Sequence, residues 1–297
     1  DAHLEYFATR NACAVFDVSP MRKYRFRGAD AEAMLDRMLT RDVTAQQVDT
    51  VAYNVWCTDA GRVVDDGTLF RLAKDEFMLC CADPCLDWFL LSAVGFERLD
   101  ISDISDDVAS LALQGPTSCA LLKAMGFAGI EQCKPFQIMR FPRSGAEIMI
   151  SRTGYTGEFG FEIFTATEAI AGVWEAICLA GATHGAIPCG LAARDSLRAG
   201  AVLPLSHQDI GDWPFCRHPW PFALPYNADR HGFTKTFLGG AALEDCRGAC
   251  TYPFLGKDLR KVTLPAEAAD TAGRVVGNVL TCVPDMAISW KNDRVFS

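Results

Sequence analysis

Apolar positions recur along the chain with two different periods. Aromatic and basic side chains alternate in residues 23–27, and this period of two predicts a half-buried strand. In residues 31–39 and 170–177 the large apolar side chains stand three and four positions apart, which predicts helices packed by one face on a sheet. Asp30 and Thr167 occupy the expected N-cap positions. Hairpins interspersed with such helices favour an α+β fold over strict alternation of strand and helix.

Residues 151–162 read Ser-Arg-Thr-Gly-Tyr-Thr-Gly-Glu-Phe-Gly-Phe-Glu. An apolar run precedes them and alternating apolar side chains follow, which predicts a strand, a tight turn and a second strand. Two glycines flank Tyr155 and Thr156, so the backbone there can adopt positive φ or let a ligand approach closely. Glu162 falls on the opposite strand face from Phe161. If the phenylalanine packs into the core, the carboxylate lines whatever lies on the other side.

A second hairpin is predicted over residues 53–66, where Asp-Ala-Gly forms a turn signal between two β-rich runs. Its second arm ends in Asp65 and Asp66, whose side chains point to opposite faces of a strand. At most one of these carboxylates can therefore face a given pocket. On the residues alone, a solvated surface pair is the commoner interpretation.

Residues 190–198 predict a helix that carries Arg194 and Arg198 on one face, because the two are four positions apart. An arginine presents a rigid fork of donors that suits a carboxylate ligand. An ordinary surface pair with Asp195 explains Arg198 equally well.

Composition narrows the function classes. With 297 residues, half of them hydrophobic, the chain can bury a sizeable core in two or three domains. A net charge of −9 argues against nucleic-acid binding. Thirteen cysteines without a C-x-x-C pair, and five histidines without ligand spacing, predict that most of the thiols are reduced and buried and that there is no metal site.

The ends and the apolar runs of the chain bear on its location. Residue 1 is Asp, so we expect the chain to begin inside a longer one. Its start lacks the charged and apolar regions of a signal peptide, and the most apolar run, residues 89–96, is too short to cross a bilayer. We expect a cytoplasmic protein with no membrane partner.

The three stretches 53–66, 151–162 and 190–198 closely resemble the glycine-cleavage T-protein family. These are aminomethyltransferases that use tetrahydrofolate, and their relatives include folate-dependent demethylases. Looser agreement extends the resemblance over about residues 16–243. The sequence departs from the family at Pro20, where the family has His, and at Cys81 and Asp83, where the family usually shows Asn-Ala-Ala-Asn.

The resemblance implies a multi-domain α+β fold with antiparallel sheets around a central folate pocket, followed by a partial C-terminal β-barrel. We expect residues 1–245 to form the folate-binding and catalytic region from two intertwined subdomains. Residues 246–297 would form the partial β domain.

The resemblance also assigns roles to residues. Asp66 matches the catalytic carboxylate, and Tyr53 and Tyr155 would stack on the pterin of the tetrahydrofolate cofactor. Glu162 would accept the pterin's N–H donors, and Arg194 matches an arginine that contacts folate. Asp66 would take a proton from folate N5 or stabilise a cationic species beside it.

The one-carbon donor stays open between two enzyme hypotheses. One is a small methylated amine, sulfonium or aryl ether, which Pro20, the altered residues 81–83 and the divergent residues 213–227 favour. The alternative is the aminomethyl group of a lipoyl carrier protein. A non-catalytic folate-binding protein is a third alternative, although such relatives carry a reactive Cys in the central signature and this chain does not. A fourth alternative is that the chain is the folate-binding part of a flavin-linked oxidase, whose flavin domain would have to lie outside this chain.

Overall fold

The computed structural model describes residues 1–143, 146–211, 221–245, 251–254, 262–286 and 295–296. Its helices α1 to α7 are Ala2–Asn11, Ala31–Met38, Leu86–Ser92, Ser118–Ala124, Ile170–Gly181, Leu191–Gly200 and Gly240–Asp245. Its strands β1 to β9 are Cys13–Asp17, Arg22–Arg27, Thr50–Cys57, Val63–Ala73, Glu76–Cys81, Asp100–Asp103, Val108–Gln114, Ile138–Arg143 and Ala146–Ser151. Strands β10 to β15 are Gly160–Ala166, Ala186–Pro188, Ala266–Ala269, Val275–Val279, Pro284–Asp285 and Val295–Phe296.

One large sheet has six strands in the order β11-β1-β7-β10-β9-β8. All neighbours in it are antiparallel except the β1 and β11 pair. Phe161 and Ile163 of β10 pack with Leu113 of β7 and Ile177 of α5 in one buried cluster. The strand that follows the motif at residues 151–162 thus buries its apolar face beneath helices, as the sequence predicted.

The second large sheet is antiparallel throughout, in the order β3-β4-β5-β2-β6. Tyr24 and Phe26 of β2 are fully buried against Met34 of α2 and Phe89 of α3. The predicted strand at residues 23–27 and the predicted helix after Asp30 are therefore confirmed. Both form because one face of each element is apolar enough to share this core.

The N-cap prediction at Thr167 is wrong. Helix α5 begins at Ile170, and Thr167 lies in the 3₁₀ turn before it. Its hydroxyl donates to the carbonyl oxygen of Asp106 at 2.7 Å. The side chain ties the turn to the loop between β6 and β7 instead of accepting from the helix.

The C-terminal region contains two small antiparallel sheets, β12 with β13 and β14 with β15. No closed barrel forms within the described residues, so the expected partial barrel is not confirmed. The proposed boundary at residue 245 stays a prediction. Across the part of the chain that the structure describes, no helix combines the length and apolar character that crossing a bilayer requires.

Candidate functional site

The two large sheets face each other, and the layer between them changes character along its length. At one end Phe70 of β4 meets Phe164 of β10 edge to face, with ring centroids 5.0 Å apart. Two residues earlier on β10 and four earlier on β4, the same strand faces carry the half-buried Glu162 and Asp66. We call this polar end of the layer the cleft.

Strand register places a row of side chains along one wall of the cleft. Tyr53 pairs with Thr68, Thr68 with Cys80, and Cys80 with Lys23, across β3, β4, β5 and β2. Directly paired residues share a face of a sheet, so these four side chains and Asp66 belong to the same wall. The hairpin predicted over residues 53–66 therefore delivers both Tyr53 and Asp66 to one place.

Asp66 is the titratable group at the centre of this wall. The hydroxyl of Tyr53 donates to its Oδ2 at 2.8 Å. The carboxylate keeps some solvent contact, but protein atoms surround it, and this burial raises its pKa to about 7 against the opposing hydrogen bond from Tyr53. The charge of Asp65 raises it further. A group with this pKa can hold or release a proton near neutral pH.

Asp65 points to the opposite face, as predicted, and is fully buried. Its Oδ1 accepts from the Ser206 hydroxyl at 2.5 Å and from the Asp66 N–H at 2.8 Å, and its Oδ2 accepts from the Asp83 N–H at 3.3 Å. Burial raises the pKa of Asp65, and these hydrogen bonds counteract the rise. This carboxylate braces the strand that presents Asp66 to the cleft.

Glu162 lies on the opposite side of the cleft. The Thr153 hydroxyl donates to its Oε2 at 2.5 Å, and Ser151 Oγ lies 2.6 Å from Thr153 Oγ1. Burial raises the pKa of Glu162, while Thr153 and the charges of Arg194 and Lys23 lower it. None of the described residues hydrogen-bonds its Oε1, so that oxygen remains able to accept from a ligand.

The loop of residues 152–159 joins β9 to β10, in place of the tight turn that the sequence predicted. Gly157 has a φ of 72°, as the sequence suggested for one of the two glycines. A Cβ at Gly154 would instead lie 2.0 Å from Gln114 Oε1. That glycine makes room for a side chain of the protein itself.

Tyr155 and Arg194 meet beside the cleft. The guanidinium carbon of Arg194 lies 4.9 Å from the centroid of the Tyr155 ring, and the Tyr155 hydroxyl donates to the Pro204 carbonyl oxygen. Within the described ranges, Arg194 forms no salt bridge, so its charge is available to an anionic ligand. Tyr155 interacts electrostatically with Tyr53 and Asp66. The structure thus brings all five predicted site residues together.

Arg198 has a structural role that the sequence left open. Its side chain is almost fully buried, its Nε donates to Asp195 Oδ1 at 2.7 Å, and its Nη1 donates to Asp209 Oδ2. Asp209 also accepts from the Leu205 N–H at 2.8 Å. Arg198 therefore holds the loop after α6 in place. Of the two arginines, only Arg194 has no salt bridge with the described residues and is free for a ligand.

Residues 2–213 match the family model described as the GCVT N-terminal domain. The chain belongs to the glycine-cleavage T-protein family. It is 37% identical over 285 residues to an aminomethyltransferase of Bacillus subtilis (strain 168), covering 93% of this chain and 77% of that protein. An aminomethyltransferase of Bacillus pumilus is 36% identical over 211 residues, which cover 69% of this chain and 58% of that relative. Several of the relatives are thus matched over less than two thirds of their length.

The fold agrees with a solved T-protein structure. The glycine cleavage system aminomethyltransferase T from Bartonella henselae superposes with a TM-score of 0.83 at 25% identity. The superposition covers 99% of this chain and 80% of that one. The T-protein architecture therefore extends over the chain, including the facing sheets that form the cleft.

The central folate pocket expected from the T-protein family is not confirmed as a cavity. A cavity of about 530 Å³ lies elsewhere, against α2 and α3, and none of the five predicted site residues lines it. Its lining residues are Arg37, Met38, Trp88, Leu91, Ser92, Thr236, Phe237 and Leu238. This lining is largely apolar and lacks the carboxylates that the cleft supplies, so we keep the cleft as the candidate site of this T-protein.

Lys23 is the site residue that sequence reasoning missed. It is fully buried, its Nζ donates to the Ser19 carbonyl oxygen at 2.8 Å, and its charge acts on Glu162 from the other sheet. Burial lowers its pKa. In the alternating pattern of residues 23–27, Lys23 occupies one of the basic positions, which are expected to be exposed. No local signal in the sequence could have revealed it, because its burial depends on the pairing of β2 with β5, which sets Lys23 opposite Cys80.

Proposed function

We propose that this T-protein family member is a tetrahydrofolate-dependent one-carbon transferase. The observation that carries the proposal is the cleft itself, in which an aspartate with a pKa of about 7 lies beside a carboxylate acceptor and an arginine that forms no salt bridge with the described residues. A general acid or base, a group for the pterin edge and a cation for a carboxylate tail are what folate chemistry requires.

The residues of the cleft fit tetrahydrofolate by their chemistry. Glu162 Oε1 has no hydrogen-bond donor among the described residues, and it would accept the pterin's amino and ring N–H groups. Tyr53 and Tyr155 would provide aromatic faces. Arg194 would pair with the carboxylates of the folate tail, because its guanidinium is free of salt bridges in the described part of the chain.

Tetrahydrofolate would supply the N5 nitrogen that accepts the one-carbon unit. Asp66 would exchange a proton with the reacting groups, because at its pKa of about 7 both protonation states are populated at neutral pH. Tyr53 would hold the Asp66 carboxylate in place through the 2.8 Å hydrogen bond and favour its charged form. Asp65 would fix the backbone of Asp66 from behind.

The first candidate donor is the aminomethyl group of a lipoyl carrier protein, because the curated relatives are named aminomethyltransferase. The second is a small methylated amine, sulfonium or aryl ether. It is favoured by the exposed Asp83 after the end of β5, which stands where the family usually has amides, whereas Cys81 of the same segment is buried behind the cleft wall. The two are separated by supplying an aminomethylated carrier protein or a panel of methylated compounds and measuring which one charges tetrahydrofolate.

Calorimetry of tetrahydrofolate binding tests the pocket assignment. Glu162→Gln should weaken binding strongly, while Asp66→Asn should bind nearly as well as the native chain and fail in transfer. Glu147→Gln, on the exposed side of β9, is the matched control. If the native protein does not bind tetrahydrofolate, or if Glu162→Gln binds normally, the proposal is wrong. Binding without transfer from any donor would instead support the non-catalytic folate-binding alternative.

A further inference from the structure

Behind the cleft wall, three metal-ligating side chains converge in the protein interior. Asp65 in β4, Cys81 at the end of β5 and Cys85 immediately before α3 are all buried. One carboxylate oxygen and the two sulfurs lie within 4.8 Å of one another. Cys81 and Cys85 are separated by three residues, a spacing usual for two zinc ligands, whereas Asp65 joins them only through the pairing of β4 with β5.

The separations suit a small tetrahedral cation. Zinc bonds of 2.3 Å to sulfur and about 2.1 Å to oxygen place neighbouring ligand atoms about 3.6–3.8 Å apart in a tetrahedron. Cys85 Sγ lies 3.9 Å from Asp65 Oδ2, and the other two pairs of ligand atoms lie within 4.8 Å, so the three side chains need to approach one another by roughly 1 Å at most. The three side chains would leave a fourth position for a water molecule.

The hydrogen bonds of Asp65 leave the right oxygen for coordination. Oδ1 is held by the Ser206 hydroxyl at 2.5 Å and the Asp66 N–H at 2.8 Å. Among the described residues, Oδ2 receives only the longer contact from the Asp83 N–H at 3.3 Å and the weak contact from Cys85. Outer contacts that fix one carboxylate oxygen while the other faces the metal are usual at metal sites.

We propose that Asp65, Cys81 and Cys85 form a binding site for one thiophilic divalent cation, with Zn²⁺ as the best match to two sulfurs and one oxygen. Binding breaks two S–H bonds, forms two metal–sulfur bonds and releases both protons to solvent. The ion would tie the segment after β5 to β4, directly behind Asp66. The proposal is independent of the proposed transferase function, although it replaces the sequence-based expectation of no metal.

Cobalt titration of the reduced full chain under anaerobic conditions tests the site, since Co²⁺ bound by thiolates gives charge-transfer and visible bands that other ligands do not. We expect saturation at one Co²⁺ per chain and reversal by Zn²⁺. Cys81→Ser and Cys85→Ser should each reduce the charge-transfer band and weaken affinity by at least about tenfold. Cys178→Ser changes an exposed cysteine and is the control that should leave the spectrum unchanged.

A second measurement avoids variants that fail to fold. X-ray absorption of the zinc-loaded native chain should show two sulfur ligands at about 2.3 Å and oxygen ligands at about 2.0–2.2 Å. A native chain without thiolate bands, or folded Cys81→Ser and Cys85→Ser proteins that keep them, would overturn the proposal. The proposal also fails if the reduced chain binds no cobalt while mild oxidation joins Cys81 to Cys85, because the two thiols then form a disulfide and are not metal ligands.

Discussion

The two sides of strand β4 show how the same residue type acquires different properties. Asp65 and Asp66 are adjacent, yet within the described residues Asp65 accepts three N–H or O–H hydrogen bonds in the interior, whereas Asp66 faces the cleft and accepts one, from Tyr53. Burial raises the pKa of both. Three donors fix the Asp65 carboxylate in place, while burial, opposed by the single hydrogen bond from Tyr53, raises the pKa of Asp66 to about 7. The surroundings on each side of the strand, not the residue type, therefore give the two carboxylates their different properties.

The largest effect should come from removing the carboxylate of Asp66, which we propose exchanges the proton on the cleft side. Asp66→Asn keeps the shape of the side chain but cannot take up a proton. We expect kcat to fall by ~10²–10⁴-fold, the usual contribution of a general acid or base. Single-turnover transfer to tetrahydrofolate measures this. A loss of less than about tenfold would show that Asp66 does not exchange protons in the reaction.

On the interior side of β4, removing the carboxylate of Asp65 should lower the stability of the fold. Asp65→Ala leaves the Ser206 hydroxyl and two backbone N–H groups without their acceptor, and a buried unpaired donor costs about 1–3 kcal/mol. We expect the free energy of unfolding in urea to fall by about 2–4 kcal/mol. Asp66→Asn is the comparison and should lose much less. Equal losses would remove the contrast between the two faces.

The pH dependence of stability should differ between the native chain and Asp66→Asn. The pKa of Asp66 is raised by folding, so the folded state binds more protons than the unfolded state between about pH 4 and 7. The contribution of Asp66 to stability is therefore lost as pH rises through this window. Asp66→Asn should become more stable relative to the native chain from pH 4 to pH 7. Urea unfolding at several pH values measures the difference, and parallel curves would contradict it.

Tyr53→Phe tests whether the hydrogen bond from the Tyr53 hydroxyl affects the pKa of Asp66. The Tyr53 hydroxyl favours the charged carboxylate, so its removal should raise the pKa of Asp66 further. The acid limb of the kcat/KM profile should move to higher pH while the fold is unchanged. A profile that stays in place would mean that another group controls the limb.

The smallest effect is expected at Lys23, on the far end of the cleft wall. Lys23→Met keeps the buried volume but removes the charge that helps to keep Glu162 ionised. Tetrahydrofolate binding should weaken several-fold, and more at pH 6 than at pH 8, because protonation of Glu162 would compete with the ligand. Lys123→Met, an exposed position, is the control. A loss that does not depend on pH would indicate only altered packing.

The sequence by itself determined the local elements and the orientation of their side chains. The period of two placed Phe161 in the core and Glu162 on the other face, and it separated Asp65 from Asp66. The three motifs also identified the T-protein family. These conclusions held because strand alternation and short motifs depend on residues that are close together in the chain.

Only the tertiary structure decided which distant residues meet. It set Lys23 within electrostatic reach of Glu162, paired Arg198 with Asp209, and brought Asp65 to Cys81 and Cys85. It also replaced the expected tight turn after β9 by a longer loop. Each of these features depends on strand register or on contacts between elements far apart in sequence, and local periodicity carries no information about either.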